Sequence, residues 1–565
     1  MRRTAAAFTT VLAAGLVTAT GTGAAQAEPG PCAVPATHQI AQVQGDGNAS
    51  PLAGQTVRVE GVVTGDFQQA NQLKGFFVQD PTPDADPATS DGLFVYSTQD
   101  VKPGDRVLVT GKVVEFNKLT ELSPVTAVDV CGTGEVAPAK VRLPLAKGAT
   151  LERYEGVLVR FPQKLTATET YGLGRYGEIA VSQGGRLFQP TEGHGDTQAG
   201  NDARRVLLDD GSTVQNPKPV PFSRKGRVPR TGDTVTGLTG VMQEAFNAYR
   251  VQPVGSPRFA PANPRPKKPG PVGGEVRVAS FNTLNWFTTL NKRGANSTAE
   301  QERQIAKLVS ALKGLNADVV GLMEVENNGD TAIKALVDRL NAAVGADTYT
   351  WVKHPKPGTD EIHVTMIYKP AKVRPVGAPS SSDAPVFERP PLVQTFQKVG
   401  GGVPFTMVVN HFKSKGCGGA TGPDADQGDG QGCWNARRVT QAKAIADLAR
   451  GLRNPIVLGD LNAYSAEDPI KTLKAAGLAS QTERFVRREQ RYSYVFQGQS
   501  GELDHVLAAR SLAKRVTGAT IWHVNSDEPT IMDYNTEFNP PEMYAPDAYR
   551  SSDHDPVLIG LDLRK

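Results

Sequence analysis

Residues 261–274 constrain this chain more than any other stretch. Between Pro261 and Gly274 stand five prolines and three glycines. Proline lacks the amide donor that a helix interior or a central strand needs. The stretch is therefore expected as a semi-rigid, Pro-rich linker, 261–274, between separately packed parts. The chain has 565 residues, and at about 100–200 residues per domain three domains is the natural division.

Ahead of the linker the pattern is that of short strands. Val57-Arg58-Val59-Glu60-Gly61-Val62-Val63 alternates, and Phe76-Phe77-Val78-Gln79-Asp80, Leu93-Phe94-Val95-Tyr96 and 106–113 follow between Gly, Pro and Asp residues. About five strands in so short a span predict an OB-like β-domain over 28–134. A second β-rich domain, 135–260, carries Gly156-Val157-Leu158-Val159-Arg160-Phe161 and Asp233-Thr234-Val235-Thr236-Gly237. Pro103-Gly104-Asp105-Arg106-Val107 recurs loosely as Arg230-Thr231-Gly232-Asp233-Thr234-Val235. Two readings stand: a repeated, OB-like barrel, or the common use of Gly-Asp in a turn before a strand.

Past the linker, 275–565 alternates apolar strands with amphipathic helices and reads as one α/β domain. Strands are expected at 276–281, 319–323, 364–368, 405–409, 456–458 and 505–507. Ser297-Thr298-Ala299-Glu300 is a capping box ahead of a helix with Ile305, Leu308 and Leu312 on one face. Further helices are expected at 333–340 and 435–450.

Composition sets the class. Gly 58 and Pro 41 favour turns and strands over long helices. A mean hydropathy of −0.34 excludes a polytopic membrane protein. The net charge is +4, and +2 once Arg2 and Arg3 are set aside, so any polyanionic partner must be held by local patches. Met1-Arg2-Arg3, an apolar run over 5–19 and Ala25-Gln26-Ala27 before Glu28 form a signal-peptide pattern over 1–27. Its apolar run is too short to span a bilayer of about 30 Å, so a secreted, extracellular protein is expected. Four cysteines suit that compartment. Three pairings are open, and spacing favours Cys32–Cys131 and Cys417–Cys433. A zinc site is the weaker alternative, because no CxxC pair is present.

The apolar runs of the α/β part end in polar residues. The segments are Ser280-Phe281-Asn282-Thr283-Leu284-Asn285, Leu322-Met323-Glu324-Val325-Glu326, Asn410-His411-Phe412-Lys413-Ser414-Lys415, Gly459-Asp460-Leu461-Asn462-Ala463, Leu503-Asp504-His505 and Ser552-Asp553-His554-Asp555-Pro556. One strand-end Asn or Asp usually caps a turn. Six such segments imply side chains converging at one edge of a sheet, where α/β folds build ligand sites.

Taken together these segments resemble the endonuclease/exonuclease/phosphatase superfamily, with its DNase I-like fold. The order of signal, β-domains and α/β domain resembles secreted bacterial nucleases of the ExeM/NucH type. The resemblance implies a four-layer α/β sandwich over 275–565 and hydrolysis of phosphodiester bonds by an activated water. It implies Glu324 as a metal ligand, with Asn282 and Asp553 in the same shell, for Mg²⁺ or Mn²⁺ as a substitute. Asp460 is implied to orient the water and Asn462 to hold a phosphate oxygen. His554 is the implied acid/base, its ring fixed by Asp504, and His411 donates to the phosphate or assists the leaving group. Phosphodiester hydrolysis needs those functions on chemical grounds as well.

Other basic residues are candidates for binding substrate: Lys413 beside His411, Arg389, Arg437 and Arg491. A solvated surface or a salt bridge is the plain alternative for each. His505 lies on the opposite strand face from Asp504 and is expected to be structural. Between Cys417 and Cys433, Asp424, Asp426 and Asp429 form either a solvated acidic loop or a structural Ca²⁺ loop. The expected partner is nucleic acid, DNA first and RNA left open, with no membrane. The competing enzyme is a phosphatase or a phospholipase or sphingomyelinase-type phosphodiesterase, against which no exposed apolar aromatic hairpin is evident. The competing non-enzyme is an adhesin or polysaccharide-binding protein.

Overall fold

The computed structural model describes residues 31–84, 86–536 and 539–564. The expected signal segment, 1–27, lies outside them. Strands Thr56–Phe67, Gly75–Gln79, Gly92–Val95, Leu119–Thr133 and Asp105–Phe116 pair in that order into a closed barrel. Val59, Phe76, Leu93, Val107 and Leu122 fill it, as alternation on a strand demands. The fifth strand carries Ser123-Pro124 and a bulged register against the fourth, which hides its periodicity in the sequence.

The second β-region repeats this plan. Leu158–Glu169, Ile179–Gln183, Arg205–Leu208, Ala248–Pro253 and Thr234–Ala245 pair in order, and the last returns to the first. In both rings the third and fifth strands run parallel and the fourth closes antiparallel on the first. The loosely recurring phrase opens the fourth strand of each barrel. Gly104 and Gly232 both adopt left-handed backbone, with φ of 95° and 94°. Asp105 Oδ2 accepts from the Lys102 amide at 3.0 Å, and Asp233 Oδ2 from the Arg230 amide at 3.1 Å. Gly104 and Gly232 then donate to carbonyls of the respective first strands, Val63 and Ala167. One turn geometry used twice at one topological position selects the repeated barrel over chance turn usage. The hairpin tips that follow carry Phe116 and Phe246, 62% and 72% exposed, so exposed aromatic hairpins are present after all.

Residues 275–564 stack two six-stranded sheets between helices. One sheet runs Thr350–Val352, Ile362–Tyr368, Val319–Glu326, Val276–Trp286, Val557–Leu561, Val516–Ile521. The other runs Val373–Ser380, Leu392–Lys398, Phe405–His411, Pro455–Asp460, Asp504–Ala509, Leu478–Ser480. Val278, Met323 and Met366 interleave with Phe405, Met407 and Leu458 between the sheets. Helices Thr298–Leu315 and Thr331–Val344 cover one outer face, and Asn435–Arg450 and Asp468–Ala475 the other. Ser297 caps the first helix by accepting from the Glu300 amide.

The stretch 261–274 differs from the linker expected of it. Val272 is 4% exposed within the core under the first sheet. Asn263 Nδ2 donates to Asp527 Oδ2 at 2.7 Å, and Arg265 pairs with Glu528 at 2.7 Å. Proline and glycine prevent regular structure here, yet side chains between them still dock. The second barrel is also sewn to the α/β part. Its strand Leu187–Phe188 pairs in parallel with Gln499–Gly501, and Ile531 and Met532 fill its core. Glu192, 3% exposed, accepts from Ser465 Oγ at 2.5 Å and the Glu502 amide at 3.0 Å.

Disulfides join Cys32 to Cys131 and Cys417 to Cys433. The second closes a separation of 16 residues, so replacing both of its cysteines with serine is expected to cost about 3 kcal/mol in urea unfolding; an unchanged midpoint refutes this. Burial, with Glu502 adding to it, pushes the Glu192 carboxyl up to about 8. The folded state then holds a proton that the unfolded chain releases near the ordinary carboxyl value. That stability is full at acid pH and is lost as pH rises through the folded value. Glu192→Gln should therefore lose less stability than the parent between about pH 5 and about pH 9. Parallel losses in a melting series would contradict it.

Candidate active site

Four strand ends meet at one edge of the sandwich. Asn282 ends on Val276–Trp286 and Glu324 on Val319–Glu326, neighbours in parallel register. His411 and Asp460 end neighbouring parallel strands of the facing sheet and sit opposite each other. The backbone of Glu324 is left-handed, with φ 62°, a strained state for a glutamate that turns its side chain out of the strand. The Asn285 amide donates to Glu324 Oε2 at 3.0 Å and fixes it there.

Glu324, His411 and Asp460 each offer one ligand atom, all within 4.8 Å of one another. His411 Nε2 lies 3.5 Å from Asp460 Oδ2 and 3.9 Å from Glu324 Oε1. Two carboxylates and an imidazole nitrogen at this spacing fit a divalent cation. Asn282, expected in the same shell, lies directly against the group. Its Nδ2 donates to Glu324 Oε1 at 3.2 Å and Asp460 Oδ2 at 3.3 Å, while its Oδ1 accepts from the Leu284 amide. It holds the two acids together. Burial raises the Glu324 carboxyl, and Asp553 adds to the rise. Burial also raises Asp460, against the pull of His554, and holds His411 well below the ordinary imidazole range.

His554 stands beside this cluster, with Nε2 3.8 Å from Asp460 Oδ2. Its Nδ1 donates to Asp504 Oδ2 at 2.6 Å. Burial works to lower its pKa, but Asp504, Asp460 and Asp553 outweigh burial and hold it well above the ordinary value. Ser493 Oγ donates to the same Asp504 oxygen at 2.7 Å, and the Tyr494 ring stacks on His554 with centroids 4.7 Å apart. Asn525 Nδ2 binds the His554 carbonyl at 2.6 Å. Ser493 and Asn525 escaped the sequence reading, since no apolar run or motif marks them.

The remaining candidates divide. Asp553 lies outside the three-atom cluster and borders a cavity of about 100 Å³ with Tyr494, Arg550 and Tyr171. Asn462 receives its own fixing: its amide donates to Asp460 Oδ1 at 2.9 Å and its Nδ2 to the Phe412 carbonyl at 3.1 Å. Arg389 is 8% exposed and donates to the carbonyls of His411 and Phe412 and to Asp360. It props up the His411 strand end instead of facing substrate. Arg437 pairs with Glu388 at 2.6 Å, and Arg491 lies 3.9 Å from Glu483. Lys413 rests on the Trp434 ring at 4.9 Å. His505 Nε2 bonds the Ala463 carbonyl at 2.8 Å, a structural contact. The Asp424, Asp426 and Asp429 carboxylates do not gather. Asp424 caps Arg437 of the helix Asn435–Arg450, and the other two close local turns at Gly428 and Gln431. Each of these acids accepts a nearby amide within the Gly-rich loop or at the helix it precedes.

Residues 279–554 match the model of the Endonuclease/Exonuclease/phosphatase family. No curated protein matches the chain. Among solved structures it is similar to the human Nocturnin catalytic domain with bound sulfate, at 17% identity and TM-score 0.34, covering 51% of this chain and 94% of that one. It is similar to D. rerio TDP2 complexed with a single-strand DNA product, at 16% identity and TM-score 0.34, covering 50% and 97%. It is also similar to the mannosyl-6-phosphatase Bt3783 of Bacteroides thetaiotaomicron, at 15% identity and TM-score 0.33, covering 51% and 99%. Behind its β-rich N-terminal region, the chain is similar over residues 279–554 to the Endonuclease/Exonuclease/phosphatase family.

Proposed function

We propose that the protein is a secreted nuclease that hydrolyses phosphodiester bonds of extracellular DNA with a divalent cation, Mg²⁺ first and Mn²⁺ as a substitute. The convergence of Glu324, His411 and Asp460 within 4.8 Å, with His554 beside them, carries this reading. A bound cation there supplies charge relief to phosphoryl oxygens. Asp460, at the junction of the cluster and His554, orients the attacking water. His554 enters protonated and gives its proton to a phosphoryl or leaving oxygen, with Asp504 holding the ring. The Tyr494 face keeps that ring from rotating.

A polynucleotide is favoured by the rim. Tyr171 of the second barrel, 72% exposed, borders the same cavity as Asp553, Tyr494 and Arg550. An exposed ring beside a cation suits a base stacked next to a phosphate. The closed five-stranded rings support the OB-like reading of both barrels, a plan that binds oligonucleotides and oligosaccharides. The signal pattern over 1–27 supports export. No helix among the described residues is long and apolar enough to cross a membrane.

Plasmid and linear DNA digestion with Mg²⁺, against EDTA and against sphingomyelin vesicles, sugar phosphates and a polysaccharide pull-down, tests the reading. Cleavage of DNA that EDTA abolishes is expected; turnover of lipid or monoester alone replaces the nuclease reading. His554→Ala should lower the DNA-cleavage rate by about 10²–10⁴ with the circular dichroism unchanged. Ser493→Ala should lower it by about 10–100-fold, the scale of one hydrogen bond to a charged group. Parental rates in His554→Ala would remove the mechanism.

A further inference from the structure

The barrels hold a second group of acids that the catalytic reading does not use. Glu152, Glu155 and Glu244 each offer a carboxylate oxygen within 4.8 Å of the others. These are not surface groups in the ordinary sense: Glu155 is 1% exposed and Glu244 6%. Glu155 Oε1 accepts the Thr120 amide at 3.0 Å. Its other oxygen, Oε2, is buried without a hydrogen-bond partner, and so is Oε2 of Glu115 from the first barrel. Glu115 adds its repulsion to Glu152 and Glu155. The cation paired with the group is Lys118, 3.4 Å from Glu244 and 55% exposed. Tyr249 donates its hydroxyl to Glu152 at 2.6 Å.

Buried carboxylates of one sign with a buried, unpartnered oxygen are costly unless they are protonated or neutralised. The donors are all oxygens, with no imidazole or thiolate that would select zinc or copper. Side-chain carboxylates on separate elements form an adaptable cage, which suits Ca²⁺ better than the strict octahedron of Mg²⁺.

We propose that Glu152, Glu155 and Glu244, with Glu115 beside them, form a Ca²⁺ site that clamps the two barrels together. Glu115 comes from the fourth strand of the first barrel, Asp105–Phe116, and Glu244 from the fourth strand of the second, Thr234–Ala245. Glu152 and Glu155 lie on the segment that enters the second barrel. An ion on these three would touch the second barrel and the segment entering it, and Glu155 reaches the first barrel through the Thr120 amide at 3.0 Å. The barrels already meet backbone to backbone, since a Cβ on Gly92 would stand 2.1 Å from the Gly156 carbonyl carbon. The ion would fix their angle about that contact.

The full chain, stripped with EDTA and then saturated with Mg²⁺, is titrated with Ca²⁺ while its melting temperature is followed. A rise of about 5 °C is expected at roughly a hundredfold excess over a Kd of about 10⁻⁴ M. Glu155→Gln should remove the rise and melt above the stripped parent, because the repulsion is gone; Glu152→Gln, at a half-buried position, is the second variant should the first fail to fold. Terbium luminescence excited through tyrosine should be lost in Glu155→Gln and kept in Glu324→Gln, which separates this site from the catalytic cluster. No shift with Ca²⁺, a shift that both glutamine variants retain, or one that Mg²⁺ alone produces in full overturns the proposal.

Discussion

One buried amide ties the two sheets of the sandwich at the point where the chemistry is placed. Asn282 Nδ2 donates to Glu324 on its own sheet and to Asp460 on the facing sheet. Packed sheets stand about 10 Å apart along their length, so acids from opposite sheets meet only where strands end and side chains turn inward. The apolar layer of Val278, Met323, Met407 and Leu458 sets that spacing. A one-residue slip in either sheet would turn the four ends to the wrong face. The polar cluster is thus a consequence of register, and register is a consequence of the apolar runs behind it.

Much of this was legible because those runs end abruptly in Asn, Glu, His and Asp. The strands themselves extend further than their apolar parts, to Trp286, Glu326, His411 and Asp460, since backbone pairing continues after the hydrophobic signal stops. Strands whose side chains face water stayed invisible. Val373–Ser380 holds Pro375 and Pro379 and is exposed almost throughout, yet pairs as a sheet edge, where proline is tolerated. Roles inside the site were less legible than membership. Nothing in Phe387-Glu388-Arg389-Pro390 says that the guanidinium will hold two carbonyls of another strand.

The acidic clusters make the same point in reverse. Asp424, Asp426 and Asp429 are close in sequence and leave a cation loop open beside a solvated acidic one, and each finds an amide within two or so residues or at the next helix. Glu115, Glu152, Glu155 and Glu244 are dispersed along the chain and carry no local pattern. The fold brings them near one another, and tertiary contacts, not spacing, decide which carboxylate oxygens lack a donor.

The second barrel reaches the chemistry through a continuous run of backbone pairing. Leu187–Phe188 pairs with Gln499–Gly501, and Gly501 in turn pairs with Tyr494. Tyr494 stacks on His554, and its neighbour Ser493 binds Asp504. Glu192 of the barrel holds the Glu502 amide two residues before Asp504. Without the barrel, the hairpin that orients the His554–Asp504 pair would be left as an isolated two-stranded ribbon, which is marginal in water. The parts on either side of 261–274 are therefore joined by strand pairing as well as by the chain. His554 is stacked by a hairpin that pairs with a strand the pattern assigns to another domain.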